Sequence, residues 1–144
     1  MANFDYLAFV GTYTLGNVVN EKLKSKGIYI LGYNSTDGTL EILNTALEKD
    51  NPSFLAISPN GNYLYSVGEI DDKRGGALSA YKIDKESGAL SIINSISTGS
   101  NGPCHLMTDL SGSILLAANY AGRASTLAKI KSDGSLDEEV QVIQ

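Results

Sequence analysis

Apolar residues along this chain fall in short stretches with the two-residue period of a strand, and no segment sustains the longer period of a helix. Tyr63, Tyr65 and Val67 share one side of such a stretch, and the same reading places Ile92 and Ile96 on one side of another. Between the stretches stand Asp37-Gly38, Asn60-Gly61, Ser87-Gly88, Ser111-Gly112 and Asp133-Gly134. Such dipeptides tolerate the positive φ of tight hairpins. The pattern predicts strands near residues 5–13, 27–34, 39–46, 52–58, 62–69, 76–83, 89–96, 103–109, 113–120, 123–130 and 137–143. The segment Arg123 to Ile130 lacks the clean alternation of the others.

The order of turns and strands repeats. Gly76 follows Gly27 by 49 residues, Gly88 follows Gly38 by 50, and Pro103 and Gly112 follow Pro52 and Gly61 by 51. A third copy opens at Gly122, with its turn at Gly134, 46 residues after Gly88. Four strands in a period of about 45–50 residues are the mark of propeller blades. The expected fold is all-β: a partial β-propeller domain over residues 1–144, about two and a half four-stranded antiparallel blades. The strand after Pro52 or Pro103 is the innermost of its blade.

In a meander, successive turns alternate between the two rims. The tight turns at Gly38, Gly61, Gly88, Gly112 and Gly134 therefore share one rim. The other receives the longer connections over 12–26, 47–51, 70–75, 98–102 and 119–122. Polar loops on a rigid scaffold are where ligands bind. These carry or border Glu69, Asp71, Asp72, Lys73, Arg74, His105, Asn119, Tyr120 and Arg123.

Charge and cysteine content narrow the classes. A formal net charge of −5 argues against a general affinity for nucleic acid or anionic membranes. Cys104 is the single cysteine, so no disulfide forms within the chain. No basic-then-apolar segment follows Met1, and no apolar run reaches the ~20 residues of a membrane helix, so the cytoplasm is the expected location. There is no glycine-rich phosphate loop, no nucleophile elbow and no His/Cys spacing for a metal, which disfavours phosphoryl transfer and serine hydrolysis.

His105, the single histidine, stands near the start of an inner strand and hence near the channel mouth. Its near-neutral pKa suits it to moving a proton. The plainer alternative is a histidine bonded to backbone between blades. Glu69 closes the second strand of its blade, Asn119-Tyr120 take that place one repeat later, and Thr12-Tyr13 the corresponding place in the first blade. A carboxylate there would orient water or bind a sugar hydroxyl; alternatively it pairs with Lys73 or Arg74. Asp71 to Arg74 read as a solvated loop tip. Arg123, beside Asn119-Tyr120, would hold a phosphate or carboxylate in a bidentate fork, or simply face solvent.

Val10-Gly11-Thr12-Tyr13-Thr14 resembles the opening of the seven-bladed propeller lactonases. So do Asn51-Pro52-Ser53-Phe54-Leu55-Ala56-Ile57-Ser58-Pro59-Asn60-Gly61, Gly102-Pro103-Cys104-His105 and Ala117-Ala118-Asn119-Tyr120. That family includes bacterial 6-phosphogluconolactonases and is similar to fungal carboxymuconate-cyclising enzymes. Gly68 stands where the family commonly has asparagine. The resemblance implies hydrolysis of 6-phospho-D-glucono-1,5-lactone in the pentose phosphate pathway, with no redox cofactor. On it, His105 and Glu69 are the expected catalytic groups, and Arg123, Asn119 and Tyr120 the substrate-binding ones. It also implies a longer parent chain whose far end supplies the inner strand of the first blade. Unpaired strand edges would then favour self-association. A muconate cyclase and a non-catalytic assembly module are the alternative classes.

Overall fold

The computed structural model describes residues 4–14, 25–47 and 50–144. The expected connections over 12–26 and 47–51 lie partly outside the described residues. These residues form eleven strands in three antiparallel sheets, with no helix among them. Blade one comprises β1 (Tyr6–Val10), β2 (Gly27–Tyr33) and β3 (Leu40–Leu47). Blade two comprises β4 (Leu55–Ile57), β5 (Tyr63–Gly68), β6 (Ala77–Ile83) and β7 (Leu90–Ser97). Blade three comprises β8 (Pro103–Thr108), β9 (Ile114–Asn119), β10 (Ala124–Ile130) and β11 (Leu136–Ile143). Each sheet is a simple meander. The inner strands β4 and β8 meet, as do the outer strands β7 and β11.

The core is two apolar layers, one in each gap between blades. Ile28 of blade one packs with Leu64, Tyr81 and Ile83 of blade two, bordered by Phe9, Leu55 and Leu90. Tyr65, Val67, Leu78, Ala80 and Ile96 of blade two meet Leu106, Leu115, Ala117, Ala128 and Leu136 of blade three. Blade two is thus covered on both faces, so Leu64 and Tyr65, adjacent and pointing opposite ways, are both fully buried. The Tyr65 hydroxyl donates to the Gly134 carbonyl at 3.2 Å, and burial pushes its phenol up to about 12.

One expectation needs correction. Ile92 and Ile96 do not share a side: Ile92 is 59% exposed and Ile96 is buried. In β7 the register slips between Ala80↔Asn94 and Tyr81↔Ile92, so Ile93 is an extra residue and the faces exchange across it. The outer strand β3 carries the same bulge, with Leu43 between Ile30↔Asn44 and Leu31↔Ile42. The strand expected over 123–130 forms as β10 despite its weak pattern. Its inward positions are the small Thr126 and Ala128, both fully buried, which fit between blades but carry little hydrophobic signal.

Strands β1 and β4 are shorter than expected, and the chain just after β1 packs closely against the chain just before β4. A Cβ on Gly11 would lie 2.0 Å from the Pro52 carbonyl oxygen, so only glycine lets the segment after β1 approach the start of blade two. The pairings place the two classes of turn as expected. Gly61, Gly88, Gly112 and Gly134 lie at one end of the strands, whereas Glu69, His105 and Asn119 lie at the other. No helix among the described residues is long and apolar enough to cross a membrane.

Candidate functional site

Each complete blade opens on a residue in the left-handed region: Asn51 (φ 50°) in blade two, Gly102 (φ 59°) in blade three. Asparagine and glycine are the residues that accept this conformation at low cost. The two carbonyls receive equivalent hydrogen bonds, from the amide of Glu69 at 3.1 Å and of Tyr120 at 2.9 Å. Glu69 and Tyr120 therefore occupy one structural position in successive blades. Tyr13 occupies it in blade one: it lies three residues past Val10, which pairs with Tyr29, as Glu69 lies three past Ser66, which pairs with Ser79.

Glu69 is held at both its backbone and its carboxylate. The Asn51 side-chain amide donates to its carbonyl at 3.2 Å. Asn51 is in turn tied to Thr14, whose amide donates to the Asn51 side-chain oxygen at 2.8 Å and whose hydroxyl accepts from the Asn51 amide at 3.1 Å. The Tyr13 hydroxyl donates to Oε2 of Glu69 at 2.8 Å, and the Ser53 hydroxyl donates to the same oxygen. That bond to Glu69 raises the Tyr13 phenol pKa, since losing the proton would set two anions side by side.

His105 lies on β8 opposite Ala118 and is exposed. Its ring rests against Phe54, centroid to centroid 4.3 Å, tilted by 47°. Tyr120 is 84% exposed, and Arg123 is exposed with φ 51°, a conformation arginine rarely adopts. Their turn is closed by the Arg123 amide donating to the Tyr120 carbonyl at 3.2 Å and by the Gly122 amide donating to Asn101 at 2.9 Å. A groove of about 550 Å³ runs beside it, lined by Cys104, Asn119, Tyr120, Arg123 and Ser125 among others.

Asn119 does not present its side chain to solvent. It is 2% exposed, and its Nδ2 donates to Thr126 Oγ1 at 2.9 Å and to the Ala124 carbonyl at 3.3 Å. Thr126 passes the chain on to the Thr98 carbonyl at 2.7 Å. Asn119 Oδ1 has no partner among the described residues. Asn119 thus braces the turn that displays Tyr120 and Arg123. Asp71 to Arg74 form an exposed tip in which Arg74 is paired to Asp72 at 2.9 Å and to Asp50 at 3.3 Å, as expected of a solvated loop.

The structure therefore connects Glu69 and His105 through Ser53-Phe54, and places Tyr120 with Arg123 beside the groove. The sequence reading overlooked Tyr13, Thr14, Ser53 and Phe54 as members of the site. One signal pointed to Tyr13, its position equivalent to Glu69; Ser53 and Phe54 become partners only across the folded turn. No cluster of His, Cys, Asp or Glu among the described residues is arranged to hold a metal ion.

Meandering sheets packed face to face around inner strands, with tight turns on one rim and polar groups gathered on the other, define the chain as a sector of a β-propeller. The chain belongs to the family described as lactonase, seven-bladed β-propeller, whose sequence profile matches residues 7–144. It is 34% identical over 128 residues to a 6-phosphogluconolactonase of Formosa agariphila, covering 89% of this chain and 35% of that one. It is 33% identical over 135 residues to the 6-phosphogluconolactonase of Bacillus subtilis, covering 94% and 36%. Among solved structures, the periplasmic gluconolactonase of Pseudomonas aeruginosa superposes with a TM-score of 0.79 at 28% identity, covering 94% of this chain and 37% of that one. The chain thus spans about a third of the length of these relatives.

Proposed function

We propose that the protein hydrolyses 6-phospho-D-glucono-1,5-lactone to 6-phosphogluconate, a step of the pentose phosphate pathway, and that Glu69, His105, Tyr120 and Arg123 act in it on the loop-rich rim. The observation that carries this reading is the connected pair Glu69 and His105, a carboxylate and an imidazole on one rim of a chain whose relatives are named for that reaction.

Lactone opening adds water to a carbonyl and protonates the ring oxygen as the C–O bond breaks. Oxidation level does not change, so no redox cofactor is called for. With Oε2 of Glu69 engaged by Tyr13 and Ser53, Oε1 accepts a proton from the attacking water. His105 delivers a proton to the departing ring oxygen. Arg123, a planar fork of donors, holds the phosphate, and Tyr120 offers a hydroxyl and a ring face to the sugar. Asn119 serves the substrate indirectly, by bracing their turn. An ionised phosphosugar does not cross membranes unaided, which supports the cytoplasm as the place of the reaction.

The test is turnover of the phosphorylated lactone above its spontaneous hydrolysis, beside glucono-1,5-lactone and a carboxymuconate. Glu69→Gln and His105→Ala are each expected to lower kcat by about 10²–10⁴-fold. Unchanged kcat in both would refute the assignment, and cyclisation of the muconate alone would transfer the protein to the cyclase class. Among the described residues β1 has one paired edge, toward β2. A free edge invites pairing with another chain, so the 144-residue chain is expected to self-associate in sedimentation; a stable monomer would refute that.

A further inference from the structure

Glu69 and His105 share a support that the resemblance did not single out. Ser53 and Phe54 are adjacent residues in the link between Asn51 and β4. The Ser53 hydroxyl donates to Oε2 of Glu69, and the Phe54 ring lies 4.3 Å from that of His105. One dipeptide thus touches a carboxylate of its own blade and an imidazole of the next. The link itself is fixed at several points. Pro52 has a locked φ. The Ser53 amide donates to the Asn51 carbonyl at 2.7 Å, and the Val67 amide donates to the Phe54 carbonyl at 3.1 Å. Asn51 is held through its two bonds to Thr14. Tyr13 then reaches from blade one to the same Glu69 oxygen.

Two donors on Oε2 fix the direction of Oε1, and a ring packed against an exposed imidazole restricts its rotation. We infer that Ser53 and Phe54 are positioning residues that hold the Glu69 carboxylate and the His105 imidazole in one fixed arrangement, with Tyr13 completing the clamp. This rests on the acid–base reading of Glu69 and His105 given above.

The experiment is a pair of double-mutant cycles on lactone turnover, in the natural full-length polypeptide that carries these residues. Phe54→Ala and Ser53→Ala are each expected to lower kcat about tenfold or more, with KM changed less than about threefold. Phe54→Ala in a His105→Ala background, and Ser53→Ala in a Glu69→Gln background, should cost almost nothing further. Phe54→Tyr and Ser53→Thr should restore most of the rate. Equal losses in both backgrounds would overturn the inference, because the dipeptide would then act on the fold alone. If Glu69→Gln and His105→Ala leave kcat unchanged, the acid–base reading fails instead, and a second readout decides the positioning. The imidazole proton signal of His105, assigned by its loss in His105→Gln, should lose its ring-current shift in Phe54→Ala and keep it in Phe54→Tyr. An unmoved signal in Phe54→Ala would refute the contact.

Discussion

Arg123 allows a substitution whose effects on stability and on turnover run in opposite directions. Its φ of 51° brings Cβ toward the neighbouring carbonyl, at a cost of roughly 1–2 kcal/mol for any L-residue with a side chain. Glycine relieves that crowding but gives the unfolded chain more freedom, a loss of roughly 0.5–1 kcal/mol. The balance leaves Arg123→Gly between neutral and about 1.5 kcal/mol more stable, a rise of up to several degrees in Tm. Arg123→Ala keeps Cβ and hence the strain, so its stability should stay within about 0.5 kcal/mol of the parent. Both variants lose the guanidinium. A charge-assisted hydrogen bond is worth about 1.5–3 kcal/mol, so kcat/KM for the phosphorylated lactone should fall roughly 10- to 150-fold in each. The loss should be far smaller for glucono-1,5-lactone, which has no phosphate. Calorimetry of the three proteins beside steady-state kinetics on both substrates is the assay. A glycine variant less stable than the alanine variant would refute the strain argument. Equal losses on both lactones would refute the phosphate contact.

Other outcomes follow from the same geometry. A Cβ on Gly122 would sit 1.9 Å from the Ser100 hydroxyl and 2.9 Å from the Asn101 amide, so Gly122→Ala should lower stability by about 1–3 kcal/mol in denaturant unfolding. Leu115 is fully buried between blades two and three, and Leu115→Ala should cost about 2–5 kcal/mol by the same measurement. The Asp109 carboxylate accepts bonds from the Ser111 hydroxyl and from the amides of Ile114, Ser113 and Ser111, which hold its pKa down at about 2 against an ordinary 3.8. A depressed folded-state pKa gives stability that is present above about 4 and lost as the pH falls toward 2. Asp109→Asn should therefore be less stable than the parent at neutral pH, with a gap that closes on acidification, as thermal unfolding against pH would show.

Legibility followed the repeat. The spacings of Gly61 to Gly112 and Pro52 to Pro103 disclosed the blades, the strand order and the two rims, because hairpin chemistry is local and is written at the turns themselves. Features that depend on a neighbouring strand were harder to read. Ile93 as a bulge residue reversed the sides of Ile92 and Ile96, and nothing in an apolar run marks where an extra residue falls. Thr126 and Ala128 blurred the alternation of β10, though not the strand itself, because a tight gap between blades selects for size more than for hydrophobicity. In the candidate site, the residue types of Glu69, His105 and Arg123 are what carried the proposal of their roles. The burial of Asn119 was not legible, since an asparagine looks the same whether it faces solvent or Thr126. Ser53 and Phe54 carry no chemical signature, and their partners are set by packing across turns and blades.

Tyr13, Glu69 and Tyr120 are one position repeated around the rim, and the complete blades share a main-chain anchor there, from the Glu69 amide to the Asn51 carbonyl and from the Tyr120 amide to the Gly102 carbonyl. An anchor that does not involve the side chain places little demand on its identity. Each blade therefore offers an interchangeable socket: a phenol can be exchanged for a carboxylate without disturbing the frame that presents it. A ring of such sockets lets an evolving lineage revise its ligand one blade at a time, each exchange being tested on a scaffold that has already folded.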